Sequence, residues 1–187
     1  MDFSAFSHGQ IHSKLWLCEE LEKHIKKPIS AVILGCWYNV LGFLMLARHQ
    51  ELYTSITGID CVDGNIQTAD KINDAWIINS DKLKTFCADI NLVTFEDVDC
   101  IICTSTEDVL KTDWFNNIPK NTLVCLQSTN LTAEDVAEYR NWDILNANRT
   151  LKEFKNKFPL SKVLFEGTKT FDYPTLKYKR FMLIGKK

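Results

Sequence analysis

The sequence predicts an α/β domain: a doubly wound, mostly parallel seven-stranded sheet with an antiparallel C-terminal hairpin and an N-terminal helix. Three observations point there. Short apolar runs alternate with helix-patterned segments along most of the chain, as βαβ units do. Several of these runs are apolar without alternation, which suits strands buried on both faces of a parallel sheet. The last two runs have no helix between them, and a connection that short cannot make a parallel crossover, so they pair antiparallel.

The elements follow in order. Within residues 11–27, Ile11, Leu15, Cys18, Leu21 and Ile25 fall at helical spacing with charges on the opposite face, and Pro28 stops the helix. "SAVILG" (Ser30 to Gly35) is a continuously apolar strand, followed by a helix from about Tyr38 to Gln50. "YTSITGID" (Tyr53 to Asp60) is β-branched in its middle and ends in an acid, and "GNIQTADKIND" with its continuation suits a helix. "KTFCAD" (Lys84 to Asp89) reads as a third strand, again ending in an acid. "DCIICTS" (Asp99 to Ser105) is a fourth, followed by a helix or turn through Phe115, and "IPKNTLVCLQS" (Ile118 to Ser128) turns into a fifth. "TAEDVAEY" (Thr132 to Tyr139) starts a helix with Thr132 as its cap, and "TLKEFKNKF" (Thr150 to Phe158) is another, stopped before Pro159. "SKVLFEG" and "KYKRFMLIG" are the closing strands. No repeat, low-complexity tract or linker divides the chain. Residues 1–187 are therefore read as a single domain, with 1–29 as an N-terminal helical cover segment.

Composition narrows the function classes. The chain has 187 residues, 45% of them hydrophobic and 25% charged, which is ordinary for a globular protein with a sizeable core. A net charge of −2 gives no electrostatic footprint for nucleic acid or an anionic membrane. No apolar run reaches the roughly 20 residues that span a bilayer, and the N-terminus lacks the charged and apolar regions of a signal peptide. A cytoplasmic protein is expected. Seven cysteines scattered through apolar runs fit small buried hydrophobes in a reducing compartment. Cys100 and Cys103 form a C-x-x-C inside a strand, where residues three apart point to opposite faces and cannot share an ion. No metal site is predicted.

In open parallel sheets the ligand sits beyond the carboxyl ends of the strands. That places Gly35 to Asn39, Asp60, Asp89 and Thr104–Ser105 around one crevice. A dinucleotide would need G-x-G-x-x-G so that backbone can approach a pyrophosphate. Trp37 stands at the second glycine position and Val40 at the third. S-adenosylmethionine carries no phosphate and asks less of the loop. It needs a turn past its methionine end, an acid for the ribose hydroxyls and a polar group for the adenine amine. Asp60 and Asp89 meet the last two demands.

"AVILGCWYNVLGFLMLA", "ITGIDCVDGNIQTADKIN", "CADI", "DCIICTS" and "IPKNTLVCLQS" follow in order the core motifs of class I S-adenosylmethionine-dependent methyltransferases, and over residues 30–187 the chain resembles that family. The closing hairpin is similar to the family's antiparallel sixth and seventh strands. More narrowly, "GCWY", "TSTE" after the fourth strand, "LVCLQS" and "YKRFMLIG" resemble small phage-type methyltransferase-like proteins. The resemblance implies S-adenosylmethionine as cofactor and methyl transfer to an acceptor it does not identify; a protein that keeps the fold and the cofactor without the reaction is the alternative. It implies that Gly35, Cys36, Trp37, Tyr38 and Asn39 pass the methionine portion, and that Asp60, with Cys61 beside it, takes the ribose. It implies that Asp89 and the Ile90 backbone face the adenine, and that Thr104 and Ser105 border the transfer site. The chain departs from the family at Ile33, where an acid is frequent, and at Trp37 in place of the second loop glycine.

Other residues carry competing readings. Asp63 could replace Asp60 at the ribose or could cap the following helix. Cys103 and Cys125 lack an adjacent base and are read as inert buried thiols. Glu107 and Asp108 are read as acids at the N-terminus of a helix rather than as a general base. His8, Gln10 and Lys14, with Ser105, are candidate acceptor contacts, although His8 and His12 also suit exposed positions at a helix start. The D/N-P-P-Y signature of nucleobase amino methylation is missing, because "CTST" (Cys103 to Thr106) stands in its place.

Overall fold

A computed structural model describes residues 1–109, 111–136, 144–174 and 176–187. Helix α1 spans His8–Glu22, preceded by a short 3₁₀ turn at Phe3–Phe6. Then come β1 (Ile29–Leu34), α2 (Val40–His49), β2 (Tyr53–Asp60), α3 (Asp63–Ser80) and β3 (Leu83–Cys87). They are followed by β4 (Cys100–Cys103), α4 (Asp113–Asn116), β5 (Leu123–Thr129) and α5 (Ala133–Val136). The chain closes with α6 (Leu151–Lys157), β6 (Lys162–Asp172) and β7 (Lys177–Lys186). The expected helix over 132–139 is seen as far as Val136; its remainder lies outside the described residues.

The seven strands lie in the order β3-β2-β1-β4-β5-β7-β6. The first five are parallel, with Leu34 beside both Ile59 and Cys103, and Cys103 beside Leu126. β7 runs antiparallel between β5 and β6, so Thr129 at the end of β5 faces Arg180 near the start of β7. The strand order reverses between β1 and β4, where an open α/β sheet leaves its crevice.

Alternate residues of the central strands feed two cores. Ile33, Cys100, Ile102, Cys125 and Met182 pack on one face with Leu17, Cys18 and Leu21 of α1 and with Met45 of α2. Leu34, Ile101, Cys103, Leu126 and Phe181 pack on the other with Trp114, Phe115, Phe154 and Phe158. Cys100 and Cys103 thus face opposite sides of the sheet, as strand alternation requires.

Helix α1 differs from the sequence reading in extent and in rotation. It begins at His8 and ends at Glu22, five residues short of Lys27, where the sequence reading ended it. Its buried stripe is centred on Ser13, Lys14, Leu17, Cys18 and Leu21, while Ile11 and Leu15 are only half-buried. Ser13 sets the rotation: its hydroxyl donates to Gln127 Oε1 at 3.1 Å, and Gln127 Nε2 donates to the Ser13 carbonyl at 3.0 Å. Arg48 of α2 grips Glu22 with two parallel bonds of 2.9 Å, tying the first two helices together. No described helix is long and apolar enough to cross a membrane.

Candidate functional site

The turn from β1 into α2 has an unusual backbone. Gly35, Trp37 and Asn39 all take positive φ, at 62°, 52° and 50°, so every second residue is left-handed. Glycine does this freely and asparagine tolerates it, but for a bulky residue such as Trp37 it is an outlier. The surroundings hold it there. The Trp37 N–H donates to Asp60 Oδ2 at 2.9 Å, and the Trp37 ring lies 5.1 Å from that of Tyr38. Both rings pack in a small cluster with Ala5, Val40, Ile11, Leu44 and Ile72. The Tyr38 hydroxyl accepts the Asp2 N–H at 2.8 Å, so the N-terminal segment is pinned to this turn.

Asn39 is fully buried, and neither amide atom finds a hydrogen-bond partner among the described residues. A Cβ on Gly58 would lie 2.7 Å from its Nδ2, and one on Gly42 would lie 2.6 Å from its Oδ1. Those two glycines make room for the asparagine beneath α2. On the outer side the position is reversed: a Cβ on Gly35 would meet nothing within 4 Å. The turn is closely packed inward and open outward.

Asp60 anchors this turn. Besides the Trp37 N–H, its carboxylate accepts from Val62 N at 3.0 Å and from Asn65 Nδ2 at 3.1 Å. Three of about four lone-pair positions are therefore filled, which leaves one on Oδ2. Asp63 is turned elsewhere, accepting from Gln67 Nε2 at 2.6 Å along the surface of α3. Cys61 beside Asp60 is exposed, and partial desolvation and the Asp60 charge hold its thiol above the ordinary range. At the end of β3, exposed Asp89 accepts from the Asn91 N–H and side-chain amide at 2.9 and 3.0 Å. These bonds hold its carboxyl below the usual carboxylate range. Asp89 thereby caps the 3₁₀ turn Ile90–Leu92, and the Ile90 side chain is buried.

The ends of β4 and β5 are lined differently. Many of the buried polar side chains among the described residues gather here, including Thr104, Thr106, Glu107, Gln127, Ser128 and Arg180. Arg180 reaches across from β7: one guanidinium nitrogen donates to Glu107 Oε1 at 2.8 Å and the other to the Thr104 carbonyl. Thr106 Oγ1 donates to the Gln127 carbonyl at 3.0 Å, and Asn148 Nδ2 donates to Ser128 Oγ at 2.8 Å.

Glu107 stands in the first turn of a short helix, as read from the sequence, but what engages it is an ion pair with Arg180. The residue sits in the 3₁₀ turn Thr106–Asp108, buried, because a partner charge on a distant strand makes burial affordable. Sequence reasoning missed Arg180, although strand alternation was the available signal: it sits two residues from Tyr178 and from Met182, on the inward face, while Lys177 and Lys179 are exposed. Of the proposed acceptor contacts, Lys14 is buried and donates to Gln10 Oε1 at 2.5 Å. Ser105 is half-buried, and His8 is exposed, sharing a 2.8 Å hydrogen bond with the Tyr173 hydroxyl. The buried thiols are poor nucleophiles, since desolvation raises Cys103 to about 12 and Cys125 well above its ordinary value.

A shallow groove of about 670 Å³ lies elsewhere, between α3 and the edge strand β3, lined by residues such as Asp74, Asp81 and Lys84. It is open to solvent and collects none of the strand-end groups described above.

Set against known proteins, the chain matches no protein-family model and no curated protein. Solved structures match closely in shape. The MccD protein superposes with a TM-score of 0.72 at 13% identity, covering 96% of this chain and 98% of its own. Coclaurine N-methyltransferase bound to N-methylheliamine and S-adenosylhomocysteine gives 0.69 at 12%, covering 95% and 73%. The magnesium protoporphyrin IX methyltransferase of Synechocystis PCC 6803 with bound S-adenosylmethionine gives 0.64 at 9%, covering 95% and 79%. This is the methyltransferase fold. Identities this low carry the fold and nothing finer. Within a methyltransferase fold, the turn 35–39, Asp60, Asp89 and Thr104 come to the same edge of the sheet because β3, β2, β1 and β4 are neighbours running the same way.

Proposed function

We propose that this chain binds S-adenosylmethionine beyond the ends of β1, β2 and β3 and transfers its methyl group to an acceptor held at the ends of β4 and β5. The observation that carries this reading is the turn 35–39, with its alternating left-handed residues and its tie to Asp60. A loop that coils this way lays its backbone along the strand ends, and the open outer side of Gly35 leaves space there. Trp37 fills the place where a pyrophosphate would need glycine, so a dinucleotide is disfavoured. A ligand without phosphates fits the residues present.

In this reading Gly35 to Asn39, Cys36 included, pass the methionine end. Asp60 offers its remaining acceptor position to a ribose hydroxyl, with Cys61 alongside. Asp89 and the Ile90 backbone border the adenine, and Thr104 and Ser105 flank the transfer site. When bound, the cofactor supplies a methyl group made electrophilic by its sulfonium. The chain's own task is then alignment and exclusion of water, which fixes the nucleophile at near-attack distance. The order of the sequence motifs supports the narrower placement among small phage-type methyltransferase-like proteins. Seven unpaired cysteines support a reducing compartment such as the cytoplasm.

One observation favours a second reading, a binding protein that has lost the reaction. Ile33, where an acid is frequent in the family, is buried in the apolar core. Calorimetric titration with S-adenosylmethionine, S-adenosylhomocysteine and NADH tests the proposal. Binding of the first two without the third is expected; tight NADH binding with no response to S-adenosylhomocysteine would overturn it.

A further inference from the structure

Lys14 differs from the other buried charged side chains among the described residues, Asp60, Glu107 and Arg180. It is 7% exposed, on the inward face of α1, and its ammonium makes one hydrogen bond, to the neutral amide oxygen of Gln10. Among the described residues no carboxylate lies within ion-pair distance of it. The buried carboxylate Glu107 is engaged by Arg180. Arg180 is itself the charge that acts on Lys14 most strongly, and it is of the same sign; the Cys18 thiol one turn along α1 opposes it weakly. An unpaired buried ammonium is costly, and a lysine in that position gives up its proton instead. Desolvation first, and Arg180 second, bring Lys14 down to about 7.

Its place in the fold gives this chemistry a use. The neighbouring Ser13 is bonded to Gln127 of β5, and Arg180 is bonded to the carbonyl of Thr104 at the end of β4. Lys14 therefore stands over the polar ends of β4 and β5. Three other acids and bases have partners of their own: Glu107 with Arg180, Asp60 with the β1 turn, and His8 with Tyr173.

We propose that Lys14, as a neutral amine, is the proton acceptor for a substrate whose methyl-accepting atom is an O–H or N–H group. This rests on the methyl-transfer reading above. The O–H or N–H bond of the acceptor breaks, its proton forms a bond to Nζ, and the electron pair left on oxygen or nitrogen becomes the nucleophile for the methyl group. The Lys14 ammonium returns its proton to water once product leaves. Gln10 accepts one Nζ hydrogen throughout and so orients the lone pair. The acceptor class is a phenol-like hydroxyl or a protonated amine, whose proton must leave before the lone pair can attack, rather than a thioether, which has no proton to lose, or a carboxylate, which has already lost it.

Side-chain NMR of lysine-labelled protein tests this without the acceptor. One lysine resonance, absent in Lys14→Met, should titrate near pH 7. Arg180→Met should raise its midpoint, and Lys14→Arg, which keeps the charge, serves as a second folded control. Addition of S-adenosylhomocysteine should shift that resonance. A midpoint above 9 would leave Lys14 an ammonium and overturn the proposal. So would an unmoved resonance in a sample where calorimetry shows S-adenosylhomocysteine bound, and the cofactor reading would then survive alone. Failure of S-adenosylhomocysteine to bind at all would remove the cofactor reading, and with it this one, whatever the midpoint.

Discussion

Asp60→Asn is the substitution that most sharply separates a loop anchor from an idle crevice acid. The native carboxylate accepts three bonds, from Trp37 N, Val62 N and Asn65 Nδ2 at 2.9, 3.0 and 3.1 Å. Asparagine is isosteric but has one acceptor oxygen. If that oxygen keeps Val62 and Asn65, its NH₂ group confronts the Trp37 N–H, donor against donor. If it flips, two donors lose their acceptor instead. The first arrangement forfeits one charge-assisted bond, worth about 1.5–3 kcal/mol, and strands a partly buried N–H. The same bond holds Trp37 at positive φ, a conformation costing about 1–2 kcal/mol on its own. Urea denaturation should show a loss of about 2–4 kcal/mol with an unchanged m-value. Calorimetry on the folded variant should show weaker binding of S-adenosylhomocysteine. A variant as stable as the parent would refute the anchoring argument, and one destabilised yet binding normally would remove Asp60 from the ribose.

Three further outcomes follow from the same geometry. Gly58→Ala would normally strengthen a strand, but here its Cβ would press Asn39 Nδ2 at 2.7 Å and Cys36 Sγ at 2.9 Å, so a loss of about 1–3 kcal/mol is expected in urea melts; a gain would contradict the packing described. Lys14 titrates at 10.5 when unfolded and about 7 when folded, so between those values the unfolded chain holds a proton that the folded chain lacks. Stability should therefore rise with pH, by up to about 1.4 kcal/mol per unit, and the advantage of Lys14→Met over the parent should shrink from pH 7 to 9; a pH-independent difference would exclude the shift. Trp37→Leu carries the same loop strain for any ligand, so the ratio of S-adenosylmethionine to S-adenosylhomocysteine affinity isolates the ring: it should fall by about two- to thirtyfold if the sulfonium lies against the indole, and stay constant if Trp37 only packs.

Strand assignment was legible because it rests on short-range patterning. Ile33 and Leu34 feed opposite cores, as do Cys100 and Cys103, so continuous apolarity in β1 and β4 correctly announced burial on both sides. The hairpin β6–β7 was legible for want of a helix between its strands. The crevice turn was half legible. Gly35 and Asn39 mark left-handed positions from sequence, but Trp37 at φ 52° does not, because its conformation is imposed by Asp60, 23 residues away. Glu107 and Arg180 illustrate the same limit. Each reads locally as a surface charge, and only their pairing across 73 residues makes both buried. Lys14 followed the rotation of α1, which a Ser13–Gln127 contact decides and helical periodicity does not.

The central claim is that a nucleoside cofactor without phosphates lies along the strand ends of β1, β2 and β3. Amide NMR of the isotope-labelled protein, recorded with and without S-adenosylhomocysteine, tests it most directly. The account predicts shifts concentrated at Gly35–Asn39, Asp60–Val62, Asp89–Ile90 and Thr104–Ser105, with little change along β6 or in the groove between α3 and β3. Shifts confined to that groove, or a spectrum unchanged at saturating ligand, would contradict it.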